Sequence, residues 1–175
     1  MKKIFLLLSV IGVFSFSSCS DDDTIVNNYF EAEVFEINNV NFGIEPNGLY
    51  TSTYILNPPI FPADMLLVYR LAGVDAGRDV WELIPRTLYY DGGRFVDVDY
   101  NFTTSDILFS MASNYSLTET PELLINEVYR VVIIPGFDNS AVEMRSAPAV
   151  DFKDYNAVVK HYNINESNIK QLTKK

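Results

Sequence analysis

The sequence predicts a mainly β domain built as an antiparallel sandwich, and three observations carry that expectation. Residues 96–102 alternate strictly, with Val96, Val98, Tyr100 and Phe102 on one face and Asp97, Asp99 and Asn101 on the other. Period two with apolar side chains inward and acids outward describes a half-exposed antiparallel strand. Asp91-Gly92-Gly93 separates that strand from residues 87–90, and glycine supplies the positive φ that tight hairpins need. Several more short β-rich runs follow one another with turn signals between them, the spacing of an immunoglobulin-like or similar sandwich.

Taken in order, residues 32–44 mix Val, Phe, Ile and Asn in partial alternation, and residues 49–56 are rich in Tyr, Thr and Ile. Pro58, Pro59 and Pro62 then break the chain, because proline cannot donate to a ladder. Residues 65–71 form an apolar run with Arg70 as its only charge, which suits a central strand, and residues 73–77 are expected to turn. Residues 79–84 resume a strand with Trp81 and Leu83 on one face. Residues 107–111 and the near-continuous apolar run 128–134 complete the strands, with one helical turn expected over 121–126. Near Asp151 the period changes. Phe152, Tyr155, Val159 and Tyr162 recur at three- and four-residue steps, which predicts an amphipathic helix. A second short helix is expected after Asn165 as N-cap, with Ile164 and Ile169 as its hydrophobic staple. Lys170, Lys174 and Lys175 would complement its dipole. The helices are expected to cap one end of the sandwich.

Ahead of this single domain, over residues 31–175, lies a different kind of segment. Met1-Lys2-Lys3 is followed by thirteen uncharged, mostly apolar residues, 4–16. A basic start and an apolar stretch of this length describe a secretory signal, and the stretch is too short for the roughly 20 apolar residues of a spanning helix. Phe16-Ser17-Ser18-Cys19 resembles a lipobox, with Phe16 where Leu is usual. That resemblance implies cleavage of residues 1–18 and lipidation of Cys19. Several acyl chains, at about 0.8 kcal/mol per methylene, make a stable anchor where one would be marginal. Residues 19–30 read as a lipidated acidic tether. Within it Ser20, Asp21, Asp22 and Asp23 resemble the signal that exports lipoproteins of Bacteroidota to the outer face of the outer membrane, the alternative being a periplasm-facing position. Asp23-Thr24-Ile25 resembles the O-glycosylation sequon of that group, on Thr24.

Without residues 1–18 the chain has 157 residues, with 11 basic and 23 acidic side chains and a net charge of −12. Nucleic acid needs clustered Lys and Arg, so it is excluded as a partner. Electrostatic adhesion to anionic lipid is excluded likewise. Cys19 is the only cysteine, so stability must come from an apolar core, and the length supplies one.

From Met65 onward the chain resembles an uncharacterised family of flavobacterial lipoproteins. The residues concerned are Leu67-Val68-Tyr69-Arg70-Leu71, Val80-Trp81-Glu82-Leu83-Ile84-Pro85, Tyr129-Arg130-Val131-Val132-Ile133-Ile134-Pro135 and Tyr155-Asn156-Ala157-Val158. The resemblance implies no known activity. Members are sometimes labelled collagen-like protein or dihydrolipoamide dehydrogenase, and neither label fits. The Gly-rich dinucleotide fingerprint and redox cysteine pair are absent, and the eight glycines have no triplet period.

No residue set forms a catalytic motif, so the chain is expected to be non-enzymatic and without a cofactor. His161, the only histidine, sits on the expected helix beside Lys160 and Tyr162, a solvated position. Asp97 and Asp99 share a strand face about 7 Å apart, a spacing a glycoside hydrolase pair can use. Asp97-x-Asp99-x-Asn101-x-Thr103 repeats oxygen ligands as a calcium loop begins. Phe102 replaces its glycine, however, and Leu108 its bidentate Glu, so Asp91 or Asp106 would have to assist. Trp81, Tyr89, Tyr90, Tyr100 and Tyr115 would make a glycan- or peptide-binding platform if several faced solvent together.

Overall fold

The structure, a computed structural model, describes residues 32–136 and 150–173. The signal segment, Cys19, Ser20–Asp23 and Thr24 lie outside the described residues.

Among the described residues ten strands build two sheets: β1 (Glu33–Val40), β2 (Gly43–Ile44), β3 (Tyr50–Ile55), β4 (Met65–Asp75), β5 (Arg78–Ile84), β6 (Arg86–Tyr90), β7 (Arg94–Phe102), β8 (Asp106–Ser113), β9 (Glu127–Ile134) and β10 (Lys170–Thr173). The first sheet runs β10-β1-β9-β4-β5 and the second β2-β3-β8-β7-β6. All pairings are antiparallel except β1 with β10. The expected β-sandwich is therefore the observed fold.

Alternation decides what lies between the sheets. From the first sheet come Phe35, Ile37, Leu66, Val68, Ile84, Tyr129 and Val131, and from the second Tyr50, Val96, Val98, Ile107, Phe109 and Met111, all buried in one cluster. Phe109 and Tyr129 meet across the sheets with ring centroids 4.4 Å apart.

Sequence expectations depart from the structure at four places. The strand expected over 32–44 breaks after Val40, because β1 pairs with β9 in one sheet and β2 with β3 in the other. The turn expected over 73–77 is only Ala76 and Gly77, both at positive φ, between the paired residues Asp75 and Arg78. This is the two-residue hairpin that the strand twist favours.

The second helix is the third departure. Asn165 does cap, accepting from the Ser167 amide at 3.0 Å, but the helical part is one 3-10 turn, Glu166–Asn168. Residues 170–173 then extend as β10 beside β1, Phe35 opposite Lys170 and Ile37 opposite Leu172. Lys170 therefore stands on an edge strand, where charge blunts further pairing, and not at a helix end.

Last, the helix caps no end of the sandwich. α1 (Tyr155–His161) lies over the outer face of the first sheet, where Tyr155, Val158 and Ile164 bury against Leu67, Tyr69, Val132 and Ile134. Strands β4 and β9 are apolar on both faces, and a face of Leu, Tyr, Val and Ile must be covered. The helix is well terminated. Asp154 caps it by accepting from Asn156 and Ala157 amides at 2.9 and 3.2 Å. At its end Asn163 takes φ 51° while the Ile164 amide donates to the Val159 carbonyl at 2.9 Å, the left-handed closure common at helix C-termini.

Burial raises the pKa of many tyrosines. Desolvation pushes Tyr155 up to about 12, and also raises Tyr69, Tyr100 and Tyr129, each with smaller help from neighbouring charges. A tyrosine raised in the folded state contributes stability that is fully present below its unfolded pKa of about 10 and is lost as pH climbs through the folded value. The melting temperature is thus expected to hold up to about pH 9.5 and fall above about pH 10. Tyrosinate absorbance at 295 nm should appear in step with unfolding for the buried set. Full tyrosine ionisation near pH 10 in a chain that keeps its near-ultraviolet circular dichroism would contradict this.

Candidate functional site

Among the described residues, α1 and the C-terminal segment cover the first sheet, and no helix lies over the outer face of the second. Thr87 and Tyr89 of β6, Asp97, Asp99 and Asn101 of β7, Ser110 and Ala112 of β8, and Thr51 and Thr53 of β3 share it by register. Phe95, Leu108 and Ile55 join them by the same register, so hydroxyl and acidic groups stand on this face beside apolar side chains. At its β6–β7 border lies an open hollow of about 340 Å³ lined by Pro85, Arg86, Thr87, Asp97, Val98 and Asp99. Ligand pockets of this volume are usually concave and mostly apolar. This one is open and mostly polar, a surface dip suited to contact with polar groups.

Strand alternation thus places Asp97, Asp99 and Asn101 together in solvent, as the sequence indicates. Local hydrogen bonds engage both acids. The Thr87 hydroxyl donates to Asp97 Oδ1 at 2.6 Å, and the Tyr100 amide donates to Asp99 Oδ1 at 2.7 Å. Asp106, a possible calcium assistant, accepts from the Thr103 hydroxyl at 2.6 Å, while Asp91 sits in the β6–β7 turn. Among the described residues no three His, Cys, Asp or Glu side chains converge to hold an ion. His161 is exposed, its ring edge-on to Tyr162 at 4.7 Å.

The five candidate aromatics do not share a surface. Trp81 lies on the outer face of the first sheet, beside Tyr155 at 6.3 Å. Tyr89 is 81% exposed on the second sheet. Tyr90 and Tyr115 pack edge-on at 6.4 Å against the core. Tyr100 points between the sheets, its hydroxyl donating to the Leu66 carbonyl at 2.7 Å.

Two buried ion pairs stand out that the sequence reading passed over. Arg130 is stacked with its guanidinium carbon 4.0 Å from the Trp81 ring centre and 4.8 Å from that of Tyr155. Its Nε donates to Glu36 Oε1 at 2.9 Å, its Nη2 also reaches Glu36, and its Nη1 reaches Glu166 at 3.1 Å. Arg70 grips Glu127 in a fork at 2.5 and 2.7 Å at one end of the core. Desolvation raises the Glu127 pKa against the pull of Arg70. Both arginines interrupt otherwise apolar runs, and a lone charge in such a run is the signal that points to a buried pair. The Arg130–Glu36 pair joins β9 to β1, and the Arg70–Glu127 pair joins β4 to β9.

No family model, curated protein or solved structure matches this chain. Its function therefore has to be argued from its own residues.

Proposed function

We propose that this chain is the precursor of a non-enzymatic lipoprotein of the cell envelope, held in the outer membrane by acyl groups on Cys19. The sandwich then serves as an interaction or structural module displayed at the cell surface. The observation that carries this reading is the N-terminal order of basic residues, apolar stretch, small residues and lone Cys19. Ser20–Asp23 support export to the outer face over a periplasm-facing position, and Thr24 would carry a glycan. The resemblance to flavobacterial lipoproteins points the same way. On this reading the outer face of the second sheet meets the partner, and its acidic and hydroxyl groups suit a polar protein or glycan rather than nucleic acid.

Intact-mass and peptide mass spectrometry of protein purified from envelopes tests the proposal. The expected result is a chain beginning at Cys19 and carrying a diacylglyceryl group and an N-acyl chain. Cys19→Ser is expected to move the protein out of the membrane fraction. An unmodified thiol in membrane-derived material would overturn the reading. The alternative, a carbohydrate- or protein-binding module using exposed aromatics, would rest on Tyr89 alone of the five, because it is the one standing in solvent. A hydrolase would need Asp97 and Asp99, which are exposed and hydrogen-bonded to their own sheet.

A further inference from the structure

The second sheet has a notch in one edge. Strand β7 runs on to Phe102, but β6 begins only at Arg86, opposite Val98. Residues 99–102 therefore pair with β8 on one side and with no described strand on the other. The gap arises at Pro85, where the chain passes from β5 in the first sheet to β6 in the second. At its head lies the open hollow lined by Pro85, Arg86, Thr87, Asp97, Val98 and Asp99.

Alternation decides which backbone groups face the gap. Along an antiparallel strand, successive residues turn their peptide groups to opposite neighbours. The Phe95 amide donates to the Asn114 side chain at 2.9 Å, and the Thr103 amide to the Asp106 carbonyl at 3.0 Å, both on the β8 side. Asp97, Asp99 and Asn101 share that direction, so Tyr100 and Phe102 turn their peptide groups to the gap. The Tyr100 amide behaves accordingly. Its acceptor is a carboxylate, Asp99 Oδ1 at 2.7 Å, in place of a strand carbonyl. Asp99 is exposed, so exchanging that bond for a ladder bond disturbs no packing. On the inner side the Tyr100 and Phe102 rings stack at 6.4 Å, and Phe102 is 38% exposed. On the outer side stand Asp97, Asp99 and Asn101, all exposed.

We propose that this gap takes an extended segment of a partner protein by strand addition, in line with β6. An apolar side chain of the segment would lie over Tyr100 and Phe102, and a basic one beside Asp99. The inference deepens the interaction-module reading, on which it rests, and needs no lipid on Cys19. Main-chain bonds to Tyr100 and Phe102 would supply attraction, and the alternating side chains would supply choice. Residues 99–102 span about 13 Å, which suits a short segment. Charge selects the occupant. Opposite charges across a strand pair stabilise it and like charges destabilise it. Arg86, the cation at the head of the gap, is held by Glu82 at 3.1 Å, so Asp97 and Asp99 stay available to a basic partner. A second copy of this chain would bring the same row of acids to the same face, against a net charge of −10 on each chain. The outer edges of β5, β6 and β10 differ in kind. There a strand would extend the sheet sideways, whereas here it abuts the end of β6 and covers Phe102.

The test titrates the full chain, isotope-labelled and purified from envelopes in neutral detergent, with a blocked heptapeptide in which Val and Lys alternate. Two control peptides alternate Val and Glu, or carry N-methyl groups on the Val amides. At about 1 mM the Val–Lys peptide is expected to shift the Tyr100 and Phe102 amide resonances and to slow their hydrogen exchange roughly tenfold. Both controls should bind at least about tenfold more weakly, the first for its charge and the second for its lost donors. Phe102→Pro removes a donor that faces the gap, at an edge position where proline is tolerated, and should weaken binding by about tenfold. Asp99→Lys should reverse the preference in favour of the Val–Glu peptide. Equal binding of the acidic peptide, equal binding of the N-methylated one, or no response at Tyr100 and Phe102 would each overturn the inference. So would protection of those amides before any peptide is added. In a dimer that result assigns the gap to a second copy, and in a monomer to the chain itself. Shifts confined to Thr53 and Tyr89 sink the gap alone and leave the outer face as the contact surface. Mass spectrometry of Cys19 on the same sample decides the anchored reading separately.

Discussion

Arg130→Ala is expected to lower the melting temperature by roughly 10–15 °C, from a loss of about 3–5 kcal/mol. The side chain is 8% exposed and its partner Glu36 12%. Removing the cation leaves the Glu36 carboxylate buried without its charge partner, which costs more than the pair contributes when intact. Stacking on Trp81 and Tyr155 disappears at the same time, and desolvated contacts of that kind contribute about 2 kcal/mol. Glu166, with its side chain 45% exposed, adds little, because solvent screens it. Arg130→Lys should fall between, since it keeps the charge but loses the planar fork. The double variant Arg130→Met with Glu36→Leu should recover most of the loss, as buried pairs replaced by apolar residues often do. The single tryptophan reports the event directly. Trp81 emission should shift to the red and broaden as the α1 layer loosens. A fall below about 3 °C would mean that the outer layer is held by its apolar contacts alone.

That layer also marks the limit of what the sequence made legible. Period-two alternation over 96–102 named the inward and outward residues of that part of β7 correctly, because one side of the strand meets water. The runs 65–71 and 128–134 offer no such contrast. They are apolar on both sides since one face meets the second sheet and the other meets α1. A continuous apolar run announces burial without naming the cover, so the helix was expected at an end of the sandwich. The short C-terminal strand was hidden for another reason. Four residues, Lys170–Thr173, are too few for a period, and parallel pairing with β1 is set by a contact more than 130 positions away in the chain. Lysines after a good N-cap favoured a helix locally, and the tertiary pairing won. Ala76 carries no turn signature either, as alanine seldom takes positive φ, so only Gly77 marked the hairpin.

The candidate aromatics fail to meet for a reason of topology. Trp81 and Tyr89 are eight positions apart, close enough to suggest one surface. Between them, at Pro85, the chain leaves the first sheet and enters the second. Each residue then faces outward from a different sheet, one beneath α1 and the other in solvent. The acidic row survives this test because Asp97, Asp99 and Asn101 belong to one strand. Local patterns are legible when they stay within an element, and they scatter when a crossover intervenes.

The same logic locates the most sensitive position of the core. Phe109 is completely buried and stacks on Tyr129 at an interplanar angle of 25°. It comes from the middle of one sheet and its partner from the middle of the other, so the contact spans the sandwich. Phe109→Ala is expected to destabilise by about 3–5 kcal/mol through lost transfer energy and an unfilled cavity. Chemical denaturation should show a lower midpoint at unchanged slope. Tyr129→Phe separates packing from polarity at the same spot. Among the described residues the Tyr129 hydroxyl is buried without a hydrogen-bond partner. Deleting it keeps the ring and removes an unsatisfied group, so stability should hold or rise by up to about 1 kcal/mol. A loss above about 1 kcal/mol in Tyr129→Phe would instead show that the hydroxyl is bonded in solution, for which an ordered interior water is the available partner. The two variants together distinguish a core that depends on shape across the sheets from one that also depends on a buried polar link.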